Sequence, residues 1–197
     1  MNKYLKEIKN NTVKHLEKQE QHKQKLSELK TKRANGTLEE PSYQHYVLEL
    51  NKQREQETKA FQEKMIELKN KYHLDIESWA KLDGSKVNAE DTALLNSGIQ
   101  LQAKDYEELE QKHAGNYTML RAVSDSAKKN NINYSQSYVV DPSVKTKEMN
   151  GIIDQALDIA KREYKNEFNM VGGLWQQEGK FEEMYAQSDK ATSLDLK

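Results

Sequence analysis

The chain has 197 residues, of which 35% are hydrophobic and 32% are charged, and its formal net charge is -1. Its mean hydropathy is -1.05, which disfavours one thick apolar core and favours helices that each bury a narrow apolar stripe. Only 2 Pro and 8 Gly interrupt the sequence, and the absence of Cys excludes disulfides, cysteine nucleophiles and thiolate metal sites.

Neither a signal-peptide-like start nor a run of about 18 apolar residues is found, so we expect a cytoplasmic protein that does not cross a membrane. The charge is uneven along the chain: residues 1–33 carry ten Lys or Arg against four Glu. Residues 148–197 carry six basic residues against ten acidic ones. The basic end has two candidate partners, which are nucleic acid and the acidic part of the same chain or of a neighbouring copy.

Two long helices are predicted in residues 1–82. The first covers 2–33, and its apolar stripe is interrupted at EKQEQHKQK (17–25), where we expect no core. ANGT (34–37) ends this helix, and TLEE (37–40) has the form of a capping box for the second, which runs to about Tyr72. Arg54 and Glu57 interrupt the second stripe in the same way.

Folded back on each other, these helices form a long antiparallel hairpin of coiled-coil type, roughly 45–50 Å long. Its polar middle predicts weak stability alone, or a need for a partner. The residues expected to pack the helices or to join copies are Leu5, Ile8, Leu16, Leu26, Val47, Leu50, Phe61 and Leu68.

A small three-helix module is predicted at 83–132. Its helices lie at about 89–97, from Ala103 to near Gly115, and from about Tyr117 to Lys129. We expect the second and third helices to bury one another across the Gly115 turn through Tyr106, Leu109, Leu120 and Val123. A linker follows at 133–146, then C-terminal helices within 147–187 and a disordered tail at 188–197. The predicted fold class is therefore all-α.

Few residues have the spacing that catalysis or metal binding needs. His15 and His22 are seven positions apart and lack a metal-ligand motif, so we interpret the five histidines as solvated. Adjacent glutamates, such as Glu107 and Glu108, are interpreted as exposed surface. No phosphate-binding loop and no GxSxG motif occurs. We therefore expect no enzyme activity, no metal and no cofactor.

The segment DYEELEQKHAGNYTMLRAVSD has the outline of a helix-turn-helix. If this module read DNA, Arg121, Lys128 and Lys129 would be the contacts. Against this, Glu107, Glu108 and Glu110 would face the phosphates, so a packed interaction module is the preferred interpretation.

An aromatic stripe near the C-terminus is the second candidate interaction element. The residues that form it are Trp175, Phe181, Met184 and Tyr185. It has two alternatives: it docks in a groove of another protein, or it packs on the preceding helix.

The short, highly charged, Cys-free helical chain resembles structural and scaffolding-like assembly proteins of tailed bacteriophages or prophages of Gram-positive hosts. The residues that carry the resemblance are LLNSGIQLQAKDYEELEQKHAGNYTMLRAV (94–123), together with the Lys, Asn, Gln, Glu, Ile and Tyr bias. The resemblance implies an oligomeric helical protein that binds a coat or portal protein, in the host cytoplasm or in the virion, without catalytic residues.

The sequence thus predicts a non-enzymatic protein that binds other proteins, itself among them, during virion assembly. One alternative is a DNA-binding regulator or packaging protein that uses residues 103–129. Another is a small inhibitor or adaptor of a host protein.

Overall fold

The computed structural model describes residues 3–138 and 140–162, and within them every regular element is helical. The all-α prediction is therefore confirmed. The elements in chain order are α1 (Lys3–Ala34), α2 (Glu40–Trp79), a 3₁₀ turn (Gly84–Lys86), α3 (Ala89–Asn96), α4 (Ala103–Lys112), α5 (Tyr117–Lys129) and α6 (Pro142–Arg162). The first two pack against each other as the predicted long hairpin.

The turn between α1 and α2 depends on Gly36, whose φ of 69° is costly for any residue with a Cβ. The backbone N–H of Thr37 donates to the carbonyl of Lys32 at 2.9 Å, and so does the Thr37 hydroxyl. The predicted capping box is therefore wrong, because Thr37 caps the end of α1. The first backbone bond of α2 runs instead from the Tyr43 N–H to the Glu39 carbonyl, at 2.9 Å.

Helix α2 continues seven residues beyond its predicted end, to Trp79. Ile76 lies one turn beyond Tyr72 and both are buried, so the apolar spacing extends past the predicted end. No Gly or Pro occurs between these residues and Gly84. The helix therefore has neither a steric nor a packing reason to stop at Tyr72.

The described residues form two compact units. The hairpin unit contains residues 3–70 and 151–162, which are α1, most of α2 and the second half of α6. The module unit contains residues 71–138 and 140–150, which are the end of α2, the 3₁₀ turn, α3, α4, α5 and the start of α6.

The module unit is organised around α4 and α5, which lie where the sequence predicts them. Gly115 (φ 88°) makes the turn between them, and the Asn116 side chain accepts a hydrogen bond from the Met119 N–H at 3.2 Å. One core cluster joins Leu101, Tyr106, Leu109, Val123 and Ala127, and a second joins Tyr117, Leu120 and Val140. Helix α6 begins at Pro142, inside the stretch predicted as a linker at 133–146.

Candidate protein-interaction surface

The face of α1 that meets α2 repeats every three and four residues without a break, as in a coiled coil. Its first six positions are buried, and the last two are half-buried. In order, these positions are Leu5, Ile8, Thr12, His15, Gln19, His22, Leu26 and Leu29. The three- and four-residue spacing of a coiled coil therefore continues through the polar stretch at 17–25.

The prediction that no core forms in this stretch is wrong. Gln19 and His22 are each only 6% exposed. The Gln19 amide nitrogen donates to Thr58 Oγ1 at 3.3 Å, and His22 Nε2 lies 2.9 Å from Glu57 Oε2. Side chains of α2 thus satisfy polar groups of α1, which lowers the cost of burying them.

His15 is a third buried polar residue on this face of α1 and is 4% exposed. We call His15, Gln19 and His22, together with Glu57 and Thr58 of α2, the polar layer. Its ring stacks on Phe61 with centroids 4.4 Å apart and planes 10° apart. Burial lowers the pKa of the imidazole from its ordinary value of 6.5, although the Glu57 carboxylate opposes this. The interpretation of the histidines as solvated is therefore wrong for His15, His22 and His113, which are all buried.

The Glu57 carboxylate is the acidic member of the polar layer. Burial alone would raise its pKa, but hydrogen bonds from His22 and Gln53 and the charge of Lys18 lower the pKa below its ordinary value of 4.5. Glu57 therefore remains ionised at neutral pH and can only accept hydrogen bonds.

The predicted packing residues differ in burial between the two halves of the hairpin. Those near the open end are buried, namely Leu5, Ile8, Leu16, Phe61 and Leu68. Those near the turn are half-buried, namely Leu26, Val47 and Leu50. At the middle of the hairpin, Leu157 and Ala160 of α6 line a groove together with Gln19 and Phe61, so a third helix lies beside the hairpin there.

A second groove of about 430 Å³ lies between α1 and α2 near the turn. The described residues that line it are Lys25, Glu28, Leu29, Lys32, Tyr46, Glu49, Leu50, Lys52, Gln53 and Gln56. Its apolar lining residues are Leu29, Leu50 and Tyr46, of which Tyr46 is 51% exposed, and its charged lining residues, which we call its rim, carry both signs. We call this surface the distal groove.

The candidate DNA contacts lie in the module unit. Arg121 Nε pairs with Asp125 at 2.9 Å, while Lys128 and Lys129 are exposed in the last turn of α5. Glu108 is mostly exposed and lies 3.6 Å from Lys104.

Glu110 does not lie on the surface where the sequence places it, since it is 3% exposed. Its carboxylate accepts hydrogen bonds from the backbone N–H groups of Ser137 and Tyr138, at 2.8 and 3.3 Å. Glu107 accepts from the Ser135 N–H at 3.1 Å. Two of the three glutamates therefore hold the 131–140 segment.

The sequence pattern does not indicate a polar cluster in the module unit, which is formed by Asp91, Lys112 and His113. Asp91 Oδ2 lies 2.7 Å from His113 Nε2, and Lys112 Nζ lies 2.8 Å from Asp91 Oδ1. The bond from Lys112, and then that from His113, lowers the pKa of Asp91 below its ordinary value of 3.8, while burial opposes the shift. The cluster ties α3 to the end of α4.

Within residues 3–138 and 140–162, no three His, Asp or Glu side chains are arranged to hold a metal ion. In the same part of the chain, none of the helices combines the length and apolar character of a membrane span. The predicted aromatic stripe and tail lie outside the described residues; the stripe comprises Trp175, Phe181, Met184 and Tyr185.

Comparisons with protein-family models, with curated proteins and with solved structures found no match for this chain.

Proposed function

We propose that the protein is a non-enzymatic assembly protein that binds other proteins, and that its distal groove joins it to a second copy of itself. The observation that carries the proposal is the contrast along the hairpin. One heptad stripe is buried as far as His22, where described residues of α6 line a groove beside Gln19, and it is half-buried nearer the turn, where the described residues that line the groove belong to α1 and α2.

Burial of the distal stripe is the physical basis of the proposed association. Two helices leave the flanks of the apolar positions between them in contact with water, whereas four helices packed as a bundle enclose such positions in a core. A second hairpin laid on the distal groove removes apolar surface of Leu29, Tyr46 and Leu50 from water, which favours association.

The charges on the groove rim favour a copy of the same surface as the partner. The rim carries Lys25, Lys32 and Lys52 together with Glu28 and Glu49. Both signs are therefore available for pairs across a twofold interface, in which each copy presents the same residues. A partner with a single sign of charge would leave part of this rim unpaired.

The test compares two substitutions on α2. Tyr46 lines the distal groove, whereas Leu48 does not, although it is equally exposed at 53%. We expect Tyr46→Glu to weaken self-association by at least about tenfold, since a buried charge costs more than about 1.4 kcal/mol. Leu48→Glu should leave self-association unchanged. Sedimentation equilibrium over a wide range of concentrations measures both.

A wild-type protein that stays monomeric at high concentration would contradict the proposal. So would a Leu48→Glu variant that dissociates as readily as Tyr46→Glu. Circular dichroism of each variant at the same concentration shows whether its helices are retained.

The proposed setting is virion assembly, and its support is the resemblance of residues 94–123 and of the composition to phage assembly proteins. Self-association and a coat or portal partner are then parts of one role. Capsid precursors isolated from the native source should contain the chain at a fixed ratio to coat protein. Its absence from precursors and from virions would favour the host-protein adaptor instead.

A further inference from the structure

The Gln19 amide connects His15 to α2 through both hydrogens of its nitrogen. Gln19 Nε2 lies 3.3 Å from Thr58 Oγ1 and 3.5 Å from His15 Nε2. Donation to both atoms requires that His15 Nε2 carries no hydrogen, as in a neutral imidazole. A proton on this nitrogen would turn the donor–acceptor pair into two donors facing each other.

His22 has a similar constraint about two turns further along α1. Glu57 is ionised and only accepts, so the hydrogen between them is on His22 Nε2. His22 Nδ1 is buried and has no hydrogen-bond partner among the described residues. A second proton on this ring would therefore add a buried donor that has no acceptor, a costly arrangement.

Among the described residues, Glu57 is the carboxylate that lies at hydrogen-bond distance from an imidazole of the polar layer. On α1, Lys18 lies 3.7 Å from Glu57. The groove that Gln19 lines on the α6 side is more basic than acidic. Its charged residues are Arg54, Glu55 and Lys59 from α2 and Lys161 from α6. An imidazolium at His15 would lie near several of these cations, while the Glu57 carboxylate is already bonded to His22.

We infer that the layer formed by His15, Gln19, His22, Glu57 and Thr58 makes the hairpin sensitive to acid: a neutral His15 ring helps to hold α1 against α2 through Gln19, and protonation of His15 loosens the pairing. The inference concerns the hairpin alone and holds whether or not the distal groove binds a second copy.

The pH at which loosening begins follows from His15. Because burial lowers its pKa in the folded chain, the unfolded chain takes up this proton first as the pH falls below 6.5. The stability contributed by neutral His15 is therefore complete above pH 6.5 and is lost below it. The lowered pKa of Glu57 adds a further loss at lower pH, near and below 4.5.

The test is hydrogen exchange of the full chain at a series of pH values from about 7.5 to about 5, corrected for the intrinsic rates. The opening constant of peptides covering residues 12–26 should rise by up to about tenfold for each pH unit between the unfolded and folded pKa of His15. Peptides from α4 and α5 should change less over this range.

Two variants identify the source of the effect. His15→Phe keeps an aromatic ring against Phe61 and removes the titrating group, so its exchange in residues 12–26 should depend less on pH than that of the wild type. His45 is an exposed histidine on α2, so His45→Gln should behave like the wild type.

An NMR titration of the wild-type His15 ring gives an independent measurement that needs no variant. Its pKa should lie below 6.5, and a value at or above 6.5 would overturn the inference. Exchange in residues 12–26 that is equal at pH 7.5 and 5.5 would overturn it as well. So would a folded His15→Phe variant with the same pH dependence as the wild type.

Discussion

At the residue scale, Asp91 is a buried acidic residue whose carboxylate bonds to both His113 and Lys112. Each oxygen has its own hydrogen-bond donor, so the group remains satisfied although it is only 6% exposed. Removing its charge would leave His113 buried without its partner, which makes Asp91 a sensitive position in the module unit.

Asp91→Asn should lower the free energy of unfolding of the module unit by about 1.5–3 kcal/mol at neutral pH, because hydrogen bonds to a charged group are lost. The folded pKa of Asp91 is lowered, so its contribution is complete at neutral pH and is lost as the pH falls through 3.8 and below. Urea unfolding at pH 7 and near pH 3 should show a difference from wild type that shrinks in acid. An equal difference at both pH values would contradict this assignment.

Residues that pack through apolar side chains could be predicted from the sequence, whereas buried polar residues could not. Leu5, Ile8 and Leu16 are buried as expected from their spacing. Gln19 and His22 share the same spacing, but their burial depends on Thr58 and Glu57, which lie 39 and 35 residues away in the sequence. Burial of these polar side chains without their partners is unfavourable. A hydrophobic pattern carries no information about such distant partners, so it cannot predict this burial.

At the scale of whole elements, glycine and helix caps decide how well the boundaries can be predicted. Helices α4 and α5 begin at the expected residues, because Gly115 requires a turn and Asn116 caps α5. The end of α2 was harder to predict, because no breaker lies near Tyr72. Thr37 has the right spacing for a capping box, yet its hydroxyl bonds to the helix that precedes it.

Residues 131–138 form neither a helix nor a strand, but their backbone is held by two glutamates of α4. Glu110→Ala should increase hydrogen exchange at the Ser137 and Tyr138 amides, because both lose their acceptor. Glu107→Ala is the matched control on the same helix, and it should affect the Ser135 amide alone. Peptide-level exchange that is unchanged in Glu110→Ala would show that these amides are protected by other contacts.

At the scale of the whole molecule, each of the two compact units combines apolar and polar packing. The hairpin unit has the polar layer beside its apolar core, and the module unit buries Asp91, Glu110 and His113 beside its apolar clusters. The all-α class and the hairpin could be predicted because they follow from local periodicity. The pairing of α6 segments with two different units could not, since it depends on contacts distant in sequence.

Adjacent substitutions in α5 distinguish packing from DNA binding. Leu120 is 1% exposed, so Leu120→Ala should lower the free energy of unfolding by about 2–5 kcal/mol. Arg121 is partly exposed and pairs with Asp125, so Arg121→Ala should cost at most about 1 kcal/mol. Urea unfolding followed by circular dichroism measures both.

The same Arg121→Ala variant tests the DNA-binding alternative by fluorescence anisotropy with duplex DNA at low and moderate salt. We expect no sequence-specific binding in either protein. Specific binding by the wild type that is lost in a folded Arg121→Ala variant would favour a DNA-binding regulator.

The heptad spacing of α1 is unbroken, so the length of the hairpin can change without changing the register between its two helices. Seven residues added to each helix on the turn side of the polar layer would extend the hairpin by about 10.5 Å and leave the existing register in place. Four residues added to α1 alone, between Gln19 and His22, would instead move His22 along α2 away from Glu57. The polar layer thus fixes the register of α1 against α2. The distance from this layer to the turn can therefore change only by whole heptads added to both helices.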